Sequence, residues 1–131
     1  MKRFLLPLVT AATLSFTAAL PVQAGSSQLT GSFTGASDHI TTGGVTVVKT
    51  SGGGAVVILD SDFSLDGAPD PRVGFGKDGA YVDGTDVGLL SSNTGLQVFI
   101  VPDSVNLDDL NEVYIWCLKF GVPLGVAALN G

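Results

Sequence analysis

The sequence predicts an all-β fold, a small antiparallel β-sandwich or partly closed barrel in a single domain. Three observations support this. Short runs of β-branched and aromatic residues recur at roughly 8–12 positions. Gly, Pro and Asp turn signals separate the runs, and no stretch carries the apolar stripe of an amphipathic helix. Eighteen glycines suit such a fold, because glycine supplies the positive-φ geometry of tight β connections.

The chain starts with Met1, Lys2 and Arg3, followed by an almost uncharged apolar stretch from Phe4 to Leu20 and then Pro21-Val22-Gln23-Ala24. This is the layout of a secretory signal, with small residues ahead of a cleavage point before Gly25. The apolar stretch holds Pro7 and several Thr and Ser residues and is too weakly apolar to span a bilayer. The expected division is a signal peptide at 1–24 and one β domain at 25–131, secreted or periplasmic, with no membrane insertion after cleavage. Cleavage would lower six basic residues to four against twelve acidic ones, a net charge of about −8. So acidic a surface repels phosphate backbones, which sets nucleic acid aside as a partner.

Within the mature chain, 25–42 is rich in Gly, Ser and Thr, and the alternation of Leu29, Gly31 and Phe33 predicts a short first strand. Further strands are expected at 44–49, 55–60, 72–76, 96–101, 113–120 and 124–129. The connections are marked by Gly52-Gly53-Gly54, Asp66-Gly67, Asp78-Gly79, Asp83-Gly84 and Pro102-Asp103. One helical turn is expected near 107–111, started by Asp108 and Asp109. The 113–120 strand is apolar on both faces, with Val113, Ile115 and Cys117 on one side and Tyr114, Trp116, Leu118 and Phe120 on the other. Such a strand belongs in the middle of the fold.

Most metal and hydrolytic chemistry is excluded by residue counts. Blue copper needs two His and a Cys, structural zinc needs four ligands, and attached c-type haem needs Cys-x-x-Cys-His; the chain has one His, His39, and one Cys, Cys117. Nothing in the spacing joins His39 to Cys117 as base and nucleophile, and His39 is expected on the surface. Asp60, Asp62 and Asp66 are weak calcium candidates, although their run lacks the Gly and Glu of an EF-hand loop. They serve equally as turn caps. No pair of carboxylates marks a glycosidase, and no catalytic constellation is evident.

Cys117 remains. A thiol doing redox work needs exposure and a positive neighbour to hold it as thiolate. Lys119, two positions on, would share its strand face and supply that charge, with Trp116 beside them. Free cysteine is equally a small core hydrophobe, and spacing alone favours that reading.

The order of motifs adds a resemblance. Asp62-Phe63, Gly67-Ala68-Pro69-Asp70-Pro71-Arg72-Val73, Asp86-Val87-Gly88-Leu89-Leu90, Asn93-Thr94-Gly95, Val101-Pro102-Asp103, Val113-Tyr114-Ile115-Trp116-Cys117, Phe120 and Gly125-Val126-Ala127-Ala128-Leu129 together resemble the DM-thirteen domain family. The likeness runs from about Gly31 to Leu129. It implies a compact extracellular β-sandwich module taking part in electron transfer, accompanied in animals by DOMON domains in proteins of the Knickkopf and Skeletor type. The family's cysteine maps onto Cys117, as a bare thiol or as ligand of a prosthetic group such as haem. Ala68 stands where a Gly commonly precedes Pro-Asp, and Pro71-Arg72 where an apolar-aromatic pair is common. Taken with the spacing, the resemblance leads to a first reading as a redox-associated module, with Cys117 as the redox candidate, Trp116 and Lys119 shaping its surroundings, and a protein redox partner. The alternative is a non-catalytic envelope module binding a protein, glycan or calcium, with Cys117 in its core.

Overall fold

The computed structural model describes Pro7, residues 10–18 and residues 27–131. The expected signal at 1–24 falls largely outside the described residues, and its cleavage point lies wholly outside them. No helix among the described residues is long and apolar enough to cross a membrane. In chain order the strands are β1 Ser27–Ser32, β2 Thr34–Gly35, β3 Thr41–Thr42, β4 Gly44–Lys49, β5 Ala55–Leu59, β6 Ser64–Leu65, β7 Pro71–Lys77, β8 Ala80–Tyr81, β9 Gly88–Leu89, β10 Gln97–Val101, β11 Glu112–Cys117 and β12 Val122–Ala128. A 3-10 turn at Leu107–Asp109 precedes β11, capped by the Asn106 side chain, which accepts from the Asp108 N–H.

Two antiparallel sheets form a sandwich. The first has the order β1-β4-β5-β10; the second has β2-β12-β11-β7-β8, with β9 also pairing β7. The short β3 and β6 pair with each other. Alternation decides which side chains enter the space between the sheets. Val45 and Val47, Val57 and Leu59, and Phe99 and Val101 enter from the first sheet; Val73 and Phe75, and Val113, Ile115 and Cys117, enter from the second, all in one buried cluster. Leu124 and Ala127 of β12 also belong to that cluster, although three positions apart. A bulge reconciles this with period two, because Ile115 pairs Gly125 while Trp116 pairs Pro123, leaving Leu124 as the extra residue.

The two sheets do not form a closed barrel, since only one side of the sandwich is sealed. There Thr30 and Asn130 exchange two 2.8 Å backbone hydrogen bonds that tie β1 to the chain end beyond β12. On the other side, β10 pairs β5 alone.

β11 is central, as its two apolar faces predict, but it ends at Cys117 and does not continue to position 120. The N–H of Gly121 donates to the Cys117 carbonyl at 2.8 Å, closing a turn in which Gly121 takes a left-handed φ of 62°. Glycine at that position lets the chain reverse into β12 without steric cost.

Candidate functional site

On β11 the sequence-predicted residues separate onto different surfaces. Cys117 is 1% exposed and belongs to the core cluster, with Pro71 and Val122 as its cross-strand partners. Lys119 lies beyond the strand end, so it does not share a strand face with Cys117. It is exposed, with its Nζ 5.5 Å from the centroid of the Phe120 ring. The cation expected beside the thiol thus stands in the turn against an aromatic ring, because β11 stops two residues short of it. Trp116 points to the opposite side from Cys117 and is half-buried on the outer face of the second sheet.

That outer face is built on glycine. In β7, Val73 and Phe75 turn inward, and Gly74 and Gly76 occupy outward positions where a side chain would normally stand. A Cβ on Gly74 would lie 2.7 Å from the Tyr81 Cε2, and one on Gly76 would collide with the Tyr114 ring. The two tyrosines therefore lie across bare backbone, which explains how Tyr114 is 3% exposed on the side of the sheet away from the core. Tyr81 and Trp116 stack with centroids 4.1 Å apart and planes 6° from parallel. Tyr114 meets them edge-on, at 5.7 Å from Tyr81 and 6.4 Å from Trp116. Edge-to-face and offset-stacked contacts at such distances are favourable for aromatic quadrupoles.

Charged groups border this cluster. Arg72, the cross-strand partner of Trp116, donates from Nε to Asp70 at 2.8 Å and has Asp86 3.7 Å from its Nη1. Burial lifts the Tyr81 phenol above its ordinary value, and the carboxylates of Asp86 and Asp83 push it the same way. Burial, then the Glu112 carboxylate, does the same for Tyr114. Both phenols hold their protons more tightly than a free tyrosine does.

The acidic run at 60–66 serves local structure. Asp60 accepts from the Thr46 hydroxyl at 3.1 Å, and Asp62 accepts from the Gly44 N–H at 2.9 Å, bracing the start of β4. Asp66 instead accepts from the Ile40 N–H at 3.0 Å and lies 2.8 Å from His39 Nδ1, and the Ile40 N–H first, then His39, hold its carboxyl below the usual range. Among the described residues no three His, Cys, Asp or Glu side chains gather closely enough to hold a metal.

A family model described as electron transfer DM13 matches residues 32–129. The chain belongs to the DM13 electron-transfer family. Membership gives this DM13 domain a redox-associated role. Among curated proteins and among solved structures, nothing matches the chain.

Haem can be tested against these residues. An axial ligand must face a slot wide enough for a macrocycle, and ligand pockets run to roughly 300–1,000 Å³. Cys117 is sealed in the packed core, and two surface cavities of about 190 and 290 Å³ lie at the far end of β11, around Val105 and Asn106, with Cys117 in the lining of neither. The surroundings of Cys117 do not fit a haem.

Sequence reasoning missed Tyr81 altogether, because it sits between the turn signals Asp78-Gly79 and Asp83-Gly84. The signal that could have found it is the alternation of Gly74 and Gly76 with Val73 and Phe75. Two outward gaps in a central strand need rings from elsewhere to cover them.

Proposed function

We propose that this DM13 domain is an exported electron-transfer module that meets a protein redox partner on the outer face of its second sheet, at Trp116 and Tyr81, with Cys117 a core residue behind that face. The observation that carries the reading is the Tyr81–Trp116 stack. It places two readily oxidised rings in parallel contact on a half-exposed surface. Export rests on the signal-like pattern at 1–24.

Electron exchange across a surface needs an oxidisable group close to the partner, and needs no bond to it. Trp116 meets the first requirement. An indole that gives one electron to an oxidised centre on the partner leaves a radical cation on Trp116 and a partner reduced by one electron, and one electron from a second, reduced redox protein returns the indole to its resting state. Tyrosine oxidation must also release the phenolic proton, whereas an indole can give up an electron before its N–H is lost. Trp116 is therefore the first ring to give up an electron. A thiol only 1% exposed lies out of a partner's reach and is a poor competitor.

The test is oxidation of the purified domain by photogenerated tris(bipyridine)ruthenium(III), a one-electron acceptor that needs no binding site. Trp116→Phe is expected to slow oxidation several-fold, and Cys117→Ala to leave its rate unchanged. The reverse pattern would return the redox role to the thiol. A second reading, an envelope binding or structural module, is favoured by the burial of Cys117 alone. It survives if neither substitution changes the oxidation rate.

A further inference from the structure

The outer face of the first sheet is unlike that of the second. Its outward positions include Val48 on β4, Val56 and Ile58 on β5, and Val98 and Ile100 on β10, and the register sets Val98 beside Ile58 and Ile100 beside Val56. Val98 and Ile100 are 54% and 68% exposed. The outward residues Gln28, Thr30 and Thr46 of β1 and β4 are uncharged; the carboxylate on this side, Asp60, stands beyond the end of β5, where it accepts from the Thr46 hydroxyl, and β5 and β10 themselves carry no charged residue.

That apolar face ends at an open strand. The β1 edge is occupied by Asn130, and the other edges of the second sheet, β2 and β8, are two residues long. β10 runs five residues, Gln97-Val98-Phe99-Ile100-Val101, with no Lys, Pro or bulge within it to discourage pairing. Unpaired strand edges without such guards are templates for another strand.

We propose that β10 pairs antiparallel with β10 of a second copy of this chain, about a two-fold axis at Phe99, joining two four-stranded sheets into one of eight. The sequence of β10 is complementary to itself in this register. Val98 stands opposite Ile100 of the other copy on the exposed face, and Gln97 opposite Val101 on the inner face, so each exposed aliphatic residue gains a cross-strand aliphatic neighbour. Charge selects the same face. Each copy is strongly acidic, and two such chains approach at lowest electrostatic cost through strands that carry no carboxylate, as β5 and β10 do. A five-residue edge and its flanking aliphatic residues cover less than the roughly 800 Å² per partner of stable complexes, so the dimer is weak and reversible. Screening by salt reduces the repulsion between the acidic bodies and strengthens it.

Sedimentation velocity of the mature chain over a wide concentration range tests the pairing. The weight-average mass is expected to rise with concentration, and to rise further when sodium chloride is added. Ile100→Lys and Val98→Lys should each restore a monomer whose circular dichroism is unchanged, since both side chains already face solvent. Hydrogen exchange offers a second readout, in which protection of β10 amides grows with concentration. A wild-type chain that stays monomeric throughout, a dimer that persists in both lysine variants, or a dimer weakened by salt would overturn the proposal.

Discussion

The two sheets obey the same alternation on their inner sides and differ completely on their outer sides. In the second sheet, glycine at positions 74 and 76 leaves gaps that Tyr81 and Tyr114 fill, Trp116 stacks on Tyr81, and Asp70 and Asp86 hold Arg72 beside them. The first sheet has β-branched side chains at the matching positions, too short to cover one another, and Val98 and Ile100 remain in water. Alternation fixes the core of both sheets. What stands at the intervening positions decides whether the outside becomes a packed aromatic layer or a bare aliphatic one.

Truncating a ring on the covered face should therefore cost as much as truncating a core residue. Tyr114→Ala is expected to destabilise the domain by about 3 kcal/mol or more in denaturant titration. A loss under about 1 kcal/mol would mean that the layer is not packed. Filling the gap instead of emptying it should also do harm. Gly74→Ala sets a Cβ 2.7 Å from Tyr81 and is expected to cost about 1–3 kcal/mol, most of it relieved in a Tyr81→Ala background. Cys117→Ala, on the core side of the same sheet, should cost about 1–2 kcal/mol.

The outcome of these substitutions bears on what the sequence alone reveals. Strand β4 is read to the residue, because Val45 and Val47 alternate about Thr46 in a β-branched run that lies between clear glycine signals. The strands at 55–60 and 96–101 are legible to within one residue as short apolar runs bounded by Gly54 and Asp60 and by Gly95 and Pro102. β3, β6, β8 and β9 are not, since two residues cannot display a period. The end of β11 is hidden because Leu118, Lys119 and Phe120 continue a strand-like composition through a turn that only Gly121 marks. Of the candidate site, Cys117 and Trp116 are visible as residue types. Their division between core and outer face follows from strand parity, but the partner that makes Trp116 distinctive, Tyr81, arrives through the tertiary fold.

Two smaller effects sharpen the contrast between the faces. Burial raises the Tyr81 and Tyr114 phenols, so the folded state holds those protons more tightly than the unfolded chain. Their contribution to stability is complete below the ordinary phenol value of about 10 and is lost as pH rises through the raised values. Denaturant midpoints should accordingly fall at alkaline pH, and fall less in Tyr81→Phe. On the bare face, Ile100→Thr should change monomer stability by no more than about 0.5 kcal/mol.

The central claim is that redox chemistry in this domain belongs to the aromatic face and not to the sulfur beneath it. Freeze-quenched electron paramagnetic resonance after one-electron oxidation locates the unpaired electron directly. An indole radical that is absent in Trp116→Phe and unaltered in Cys117→Ala is the expected result. A sulfur-centred radical, or a signal abolished by Cys117→Ala, would contradict the account.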